Sequence, residues 1–148
     1  MTIKSEVQEA IKQAMKSKNT VRLECLRMAK AALLLKEKSA PKDQALSDED
    51  AIQTLRAEVK KRQQTVETYQ QLNKPEEAAA SQAEIDVLEE FLPKQLTEAQ
   101  LTERVQAFLA ANPDVNHPGK LTGAMKKELG DLADGKMLNQ VCQKALAD

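Results

Sequence analysis

The sequence predicts an all-α protein, with an N-terminal helical bundle of about four helices in residues 1–94 and a three-helix tail domain in residues 95–148. Three observations carry this expectation. Apolar residues recur at three- and four-residue steps through most of the chain, the signature of one-sided helices. With two Phe, one Tyr and no Trp, the core must be built from Leu, Ala, Val, Ile and Met, which suit helix packing better than a sandwich or barrel. Four glycines in 148 residues leave few sites for the tight turns of a hairpin-rich chain.

The elements follow in order. Ile3, Val7, Ile11 and Met15 mark a first helix from near Thr2 to near Ser17. Asn19 or Thr20 caps a second helix reaching about Lys38, with Leu23, Leu26, Met28, Leu33 and Leu34 as its buried face; a surface loop, Ser39 to Leu46, contains Pro41. Ser47 and Asp50 form a weak capping box, and Leu46 can staple to the third and longest helix. Its seam is Ile52, Leu55, Val59, Val66 and Tyr69, with a polar interruption at Arg62. Pro75, after Asn73 and Lys74, turns the chain into a fourth helix of about Glu76 to Phe91 whose inner surface is Ala79, Ala83, Ile85, Leu88 and Leu92.

Pro93 should end that helix near Leu92, because proline disfavours helical geometry at the residue before it. Thr97 restarts the pattern with a capping box to Gln100 and a staple between Leu96 and Leu101. A fifth helix carries Leu101, Val105, Phe108 and Leu109 and ends near Asn112–Pro113. Pro118 opens a sixth bearing Leu121, Met125 and Leu129, and Asp134 caps a seventh bearing Leu138, Val141, Ala145 and Leu146.

Composition narrows function. A net charge of −1 argues against indiscriminate coating of nucleic acid. Residues 1–38 nevertheless carry an excess of five basic groups and residues 39–92 an excess of six acidic ones, while residues 93–148 balance. No apolar run approaches the roughly 20 residues of a membrane span, and the amino terminus lacks a signal peptide's apolar stretch, so a cytoplasmic protein without membrane contact is expected. Cys25 and Cys142 fall inside helical apolar patterns and read as buried reduced thiols.

Little in the chain suits catalysis. His117 is the only histidine, stands in a loop, and reads as having no role; neither cysteine has a neighbouring histidine. Three His and Cys residues scattered over the chain make no zinc site, and there is no phosphate-cradling glycine loop. No catalytic residue, metal or cofactor is expected. Asp48, Glu49 and Asp50 complement a helix dipole, and Glu89 and Glu90 read as solvated. Two basic clusters have more to say. Lys12, Lys16, Lys18, Arg22, Arg27 and Lys30 could line neighbouring faces of the first two helices and meet phosphates, although Arg27 could equally pair with Glu24 or an acid of the third helix. Lys120, Lys126, Lys127 and Lys136 cluster near Gly119, Gly123 and Gly135. There glycine could admit a partner's backbone, or Gly123 could simply permit tight helix packing while Gly130 and Gly135 end and begin helices.

The junction Leu88-Glu89-Glu90-Phe91-Leu92-Pro93-Lys94-Gln95-Leu96-Thr97-Glu98-Ala99-Gln100-Leu101 resembles that of the GatB/YqeY family, small bacterial proteins similar to the C-terminal part of the B subunit of the glutamine-dependent aminoacyl-tRNA amidotransferase. Arg22-Leu23-Glu24-Cys25-Leu26-Arg27-Met28 and Glu58-Val59-Lys60-Lys61-Arg62 resemble the family's second and third helices. Gly119-Lys120-Leu121-Thr122-Gly123-Ala124-Met125 and Ala133-Asp134-Gly135-Lys136-Met137-Leu138-Asn139 resemble its tail. Five runs in order make the resemblance nearly full length. It implies a tail that contacts the outer corner of tRNA, with Gly119, Lys120, Gly123, Lys126, Gly135, Lys136 and Asn139 as RNA-facing or RNA-supporting positions recognising shape and backbone. The subunit's catalytic cradle, with its ATP and magnesium chemistry, has no counterpart in these residues. The expected role is therefore a non-catalytic tRNA-associated accessory, with a module docking a synthetase, an amidotransferase or another copy of itself, through residues such as Val66 and Tyr69, as the alternative.

Overall fold

The computed structural model describes residues 1–41 and 44–147; Lys42 and Asp43, within the expected loop Ser39 to Leu46, and the terminal Asp148 lie outside the described residues. Among the described residues the chain is all-α, with no strand. The helices are α1 (Ile3–Lys16), α2 (Thr20–Ser39), α3 (Asp48–Gln71), α4 (Pro75–Glu89), α5 (Glu98–Ala111), α6 (Pro118–Leu129) and α7 (Gly135–Ala147), with a single 3-10 turn at Gly130–Leu132. Contacts divide the chain into two compact units, Met1–Leu92 and Pro93–Asp148.

In the first unit, α3 and α4 pack along their lengths, α1 packs on α2, and α2 meets both α3 and α4. Ile3, Val7, Cys25, Ala29, Leu33, Ala51, Leu55, Val59, Ile85 and Leu88 form one buried cluster. Thr2 caps α1 by accepting from the Ser5 amide, Asn19 caps α2 from the Arg22 amide, and Ser47 caps α3 from the Asp50 amide. Two turns share one device. Lys18 and Asn73 both adopt φ of 57°, and the amides after them reach five residues back, Asn19 to the Ala14 carbonyl at 3.0 Å and Lys74 to the Tyr69 carbonyl at 2.9 Å. These are Schellman closures, which satisfy the orphan carbonyls at a helix end.

Three expected faces are corrected. On α1, Ala14 is buried and Met15 is 55% exposed. A strict four-residue repeat drifts about 40° per step, so Met15 has rotated about 120° from Ile3, while Ala14 returns to within about 20° of it. On α2, Met28 is 53% exposed and Cys25 and Ala29 take the interior beside Leu26 and Leu33. On α4, Ala79 and Ala83 are exposed, and the buried row is Ala78, Ser81, Ile85 and Leu88. Alternating steps of three and four hold that row to one stripe, and its small members let α3 approach closely. The regular part of α4 also stops earlier than expected, at Glu89. Phe91 and Leu92 donate to Leu88 and Glu89 in tightened turns, because Pro93 bars helical geometry at Leu92.

The second unit has its own core of Leu101, Val105, Leu121, Met125, Leu129, Leu138, Val141 and Cys142. α7 packs on both α5 and α6. The Thr97 hydroxyl accepts from the Gln100 amide at 3.2 Å and the Gln100 side chain accepts from the Thr97 amide at 2.9 Å, completing the capping box, with Leu96 against the core as the staple requires. The segment before α5 is tied down as well. The Leu96 amide donates to the Leu132 carbonyl at 2.8 Å and the Gln95 side chain to the Asp131 carbonyl at 3.0 Å. Thr97→Ala should therefore cost about 1 kcal/mol, read as a lower urea midpoint at unchanged slope.

Candidate nucleic-acid interface

The buried side of α6 is Leu121, Thr122, Met125 and Leu129. At 100° per residue, Gly119, Lys120, Gly123, Lys126 and Lys127 fall within about 120° of arc on the opposite side, and all five are exposed. Among the described residues none of these lysines, nor Lys136, has a carboxylate within ion-pair distance. On α7, Lys136 and Asn139 are exposed one turn apart. A Cβ at Gly135 would lie 3.9 Å from the Lys126 Cε, so the Lys126 stem lies over the start of α7 beside Lys136. The second unit thus brings Gly119, Lys120, Gly123 and Lys126 together on one helix face and sets Gly135, Lys136 and Asn139 on the next helix.

The glycines differ in what holds them. His117, expected in a loop without a role, is the N-cap of α6: its Nδ1 accepts from the Gly119 amide at 3.1 Å. A Cβ at Gly119 would press to 3.1 Å from that ring, so a larger residue there requires the capping ring to shift. The cap's signal in sequence was a polar side chain directly before Pro118 at the first helical position. Gly130 ends α6 at φ of 55°, a conformation glycine adopts without strain. Gly123 is different. It lies mid-helix, exposed, and a Cβ there would meet nothing within 4 Å. Tight helix packing does not explain it, and an interior glycine costs about 1 kcal/mol relative to alanine.

Asp134 caps α7 by accepting from the Met137 amide at 3.0 Å. That carboxylate occupies the positive end of the helix, so an anion at this face would meet the Lys126 and Lys136 ammonium groups instead.

The N-terminal basic cluster is less coherent. Lys12 and Lys16 share an exposed face of α1, Lys18 stands in the turn, Arg27 is exposed on α2, and Lys30 is half-buried there. Arg22 is drawn away from them: its guanidinium bonds both carboxylate oxygens of Glu90. Glu90, read from the sequence as simply solvated, holds the end of α4 to the start of α2. Neither pairing considered for Arg27, with Glu24 or with an acid of α3, is made among the described residues. Four exposed residues, Lys12, Lys16, Lys18 and Arg27, remain as a cationic surface, with Lys30 half-buried beside them.

The strongest electrostatic cluster is one the sequence disguised. Arg62 occupies the seam position between Val59 and Val66, and its side chain is only 8% exposed. Its Nη1 donates to the Glu58 carboxylate at 2.8 Å and the Glu58 carbonyl at 3.1 Å, and its Nε to Glu84 at 3.1 Å. Its Nη2 lies 3.9 Å from the Met28 sulfur. Burial works against the guanidinium charge, but the Glu58 hydrogen bond and the Glu84 and Glu58 charges outweigh it and raise the Arg62 pKa. Burial likewise opposes the Glu58 carboxylate, while hydrogen bonds from Arg62 and Lys61 hold its pKa below the ordinary value. Cys25 donates to the Glu84 carbonyl at 3.6 Å, and burial pushes its thiol pKa up against the opposing Arg62 charge. A raised thiol pKa disfavours the thiolate, and with it nucleophilic or metal-binding chemistry. This cluster locks α2, α3 and α4 together; the seam spacing of 55, 59, 62 and 66 was its signal.

Val66 and Tyr69, the expected docking residues, are half-buried, and Val66 packs against the core. Among the described residues no His, Cys, Asp and Glu side chains group as a metal site, and no helix is long and apolar enough to cross a membrane. Fold and surface together define an all-helical protein of two compact units carrying an exposed lysine and glycine face. The chain belongs to the family of YqeY-like proteins, whose model, described as "Yqey-like protein", matches residues 4–146. No curated protein matches the chain.

Proposed function

We propose that the chain is a non-catalytic, cytoplasmic tRNA-binding or tRNA-associated accessory protein, built as a bundle of four helices and a three-helix tail of the kind found in the amidotransferase B subunit. The tail meets tRNA through Gly119, Lys120, Gly123, Lys126, Gly135, Lys136 and Asn139, and the cationic surface of α1 and α2 is a secondary contact. One observation carries the reading: Gly123 interrupts the exposed face of α6 with no neighbour to explain it, between lysines that no carboxylate among the described residues neutralises. An absent side chain lets a sugar-phosphate backbone come within reach of the helix, and flanking ammonium groups then meet phosphates without reading bases. With one Tyr and two Phe in the chain, stacking on unpaired bases has little material, which favours folded RNA. Filter binding with total tRNA at about 50 mM and about 200 mM salt is the test, with retention at low salt falling steeply at the higher. No retention at low salt refutes the proposal.

A second reading, docking of a synthetase, an amidotransferase or a second copy, draws support from a different place in the fold, an open apolar groove between α2 and α3.

A further inference from the structure

The cap on α6 leaves one nitrogen of His117 free. A neutral imidazole carries a single N–H, so one ring nitrogen donates and the other accepts. Because Nδ1 accepts from the Gly119 amide at 3.1 Å, the proton of the neutral ring is on Nε2, and the capping bond fixes both tautomer and ring orientation. The ring lies over Gly119: its Cε1 is 3.1 Å from where a Gly119 Cβ would stand. Nε2 is the next atom around the ring, so its N–H stands beside the space that a side chain at Gly119 would fill. His117 is exposed, and among the described residues Nε2 has no hydrogen-bond partner.

That donor heads a row. At 100° per residue, Gly119, Gly123 and Lys126 fall within about 60° of arc and extend about 10 Å along α6. Two residues without side chains thus lie between an imidazole N–H at one end and an ammonium group at the other, with Lys120 and Lys127 along one flank. The helix terminus itself offers an anion little, since Pro118 has no amide proton and the Gly119 amide is taken by the ring. Nearby acids leave the row open. Glu128 stands about 180° round the helix from Gly119, and Asp134 at the Lys126 end is committed to the Met137 amide. Asp114, exposed in the loop before the cap, pairs with neither Lys120 nor Lys126.

On the reading of the tail as an RNA interface, we propose that His117 is an RNA-contacting residue, its Nε2–H donating to a phosphate oxygen of a sugar-phosphate backbone that crosses Gly119 and Gly123 toward Lys126. The lysines attract phosphate from any direction, whereas the ring donor points one way. It is already held by the fold, so binding orders no further side chain at this end. Its contribution is register: it fixes where the backbone enters the row, as phosphate contacts do.

His117 is the chain's single histidine, so its ring signals are unambiguous. A nitrogen–proton correlation spectrum of the free full-length protein at about pH 8, above the ordinary range in which imidazole is charged, should show Nδ1 bare and Nε2 protonated. Added tRNA should shift the Nε2 signal. In filter binding with total tRNA at low salt, His117→Ser keeps an acceptor for the cap and removes the ring donor. It should weaken binding about tenfold with helical circular dichroism and urea midpoint almost unmoved. Its log-log salt slope should match the wild type, because a neutral donor displaces no counterion, whereas Lys120→Glu should make the slope shallower. A residue that acts only as a cap is replaced by serine without loss of binding. Wild-type affinity in His117→Ser, while Lys120→Glu with Lys126→Glu abolishes retention, therefore overturns the inference and leaves the tail reading standing. A proton on Nδ1 in the free protein overturns it without any RNA. A wild-type chain that retains no tRNA refutes the tail reading, and the inference falls with it.

Discussion

Arg62→Ala is expected to destabilise the first unit by about 2–3 kcal/mol. Removing one partner from a buried ion pair commonly costs 3–5 kcal/mol because the remaining charge is stranded. Here Glu58 and Glu84 are 20% and 39% exposed on their side chains, so water reclaims part of each charge and the cost falls toward the low end. The variant also removes an apolar stem from between Val59 and Val66, a packing loss separate from the charge. Arg62→Met restores the stem without the charge and should recover about half of the loss. Urea unfolding is the measurement. Equal costs for the two variants would show that packing contributes nothing, and a cost below about 0.5 kcal/mol for alanine would show that the cluster does not hold the helices together.

The same cluster sets an acid limit. Glu58 has a folded pKa below its ordinary value of 4.5, so the unfolded chain takes up a proton there more readily than the native one. The stability it contributes is fully present above that ordinary value and is lost as pH falls through the lower, folded one. Arg62 is displaced in the opposite sense, above its already high ordinary value; its contribution is complete below that value and fades only in strong alkali. Stability should therefore decline on the acid side of the ordinary carboxylate range, and Arg62→Met should flatten that decline, since Glu58 then loses its main partner. An acid limb equally steep in the variant would assign the decline to other carboxylates.

How much of this was legible in the sequence depended on how local its cause is. The Thr97 and Gln100 capping box, the Ser47 and Asn19 caps and the Asp134 cap each rest on neighbours within three residues, and the structure makes each of these hydrogen bonds. Buried faces were legible only as far as helical phase was followed. Met15 and Ala83 kept a four-residue beat that a helix of 3.6 residues per turn does not keep. Met28 reads as inward-facing because α2 offers more apolar residues than its neighbours cover. Arg62 was hardest, since a cation in a seam is tolerated only when acids from its own helix and from α4 converge on it, and Glu84 is 22 residues away in sequence. In the tail, the lysines and glycines were legible as a cluster, but the division of labour among the glycines was not. It turns on whether space beside each one is filled, and a sequence carries no record of empty space.

Reversing the tail charges with Lys120→Glu, Lys126→Glu and Lys136→Glu should lower tRNA affinity about a hundredfold or more at low salt. Each lysine that meets a phosphate displaces roughly one condensed counterion, so the loss should come with a salt dependence shallower by about three units of log-log slope, and should fall evenly across tRNA species. All three side chains are exposed and unpaired among the described residues, so stability should move by no more than about 0.5 kcal/mol. Gly123→Ala supplies the complementary variant. Its Cβ enters open space, so the helix should gain about 0.5–1 kcal/mol, while a methyl group on the face that admits the RNA backbone should weaken binding. A stabilised protein that binds worse separates the two roles, because a purely structural glycine would give stabilisation with binding unchanged. If instead the triple reversal leaves binding intact while reversal at Lys12, Lys16 and Arg27 abolishes it, the interface lies on α1 and α2, and the tail lysines are ordinary solvated surface.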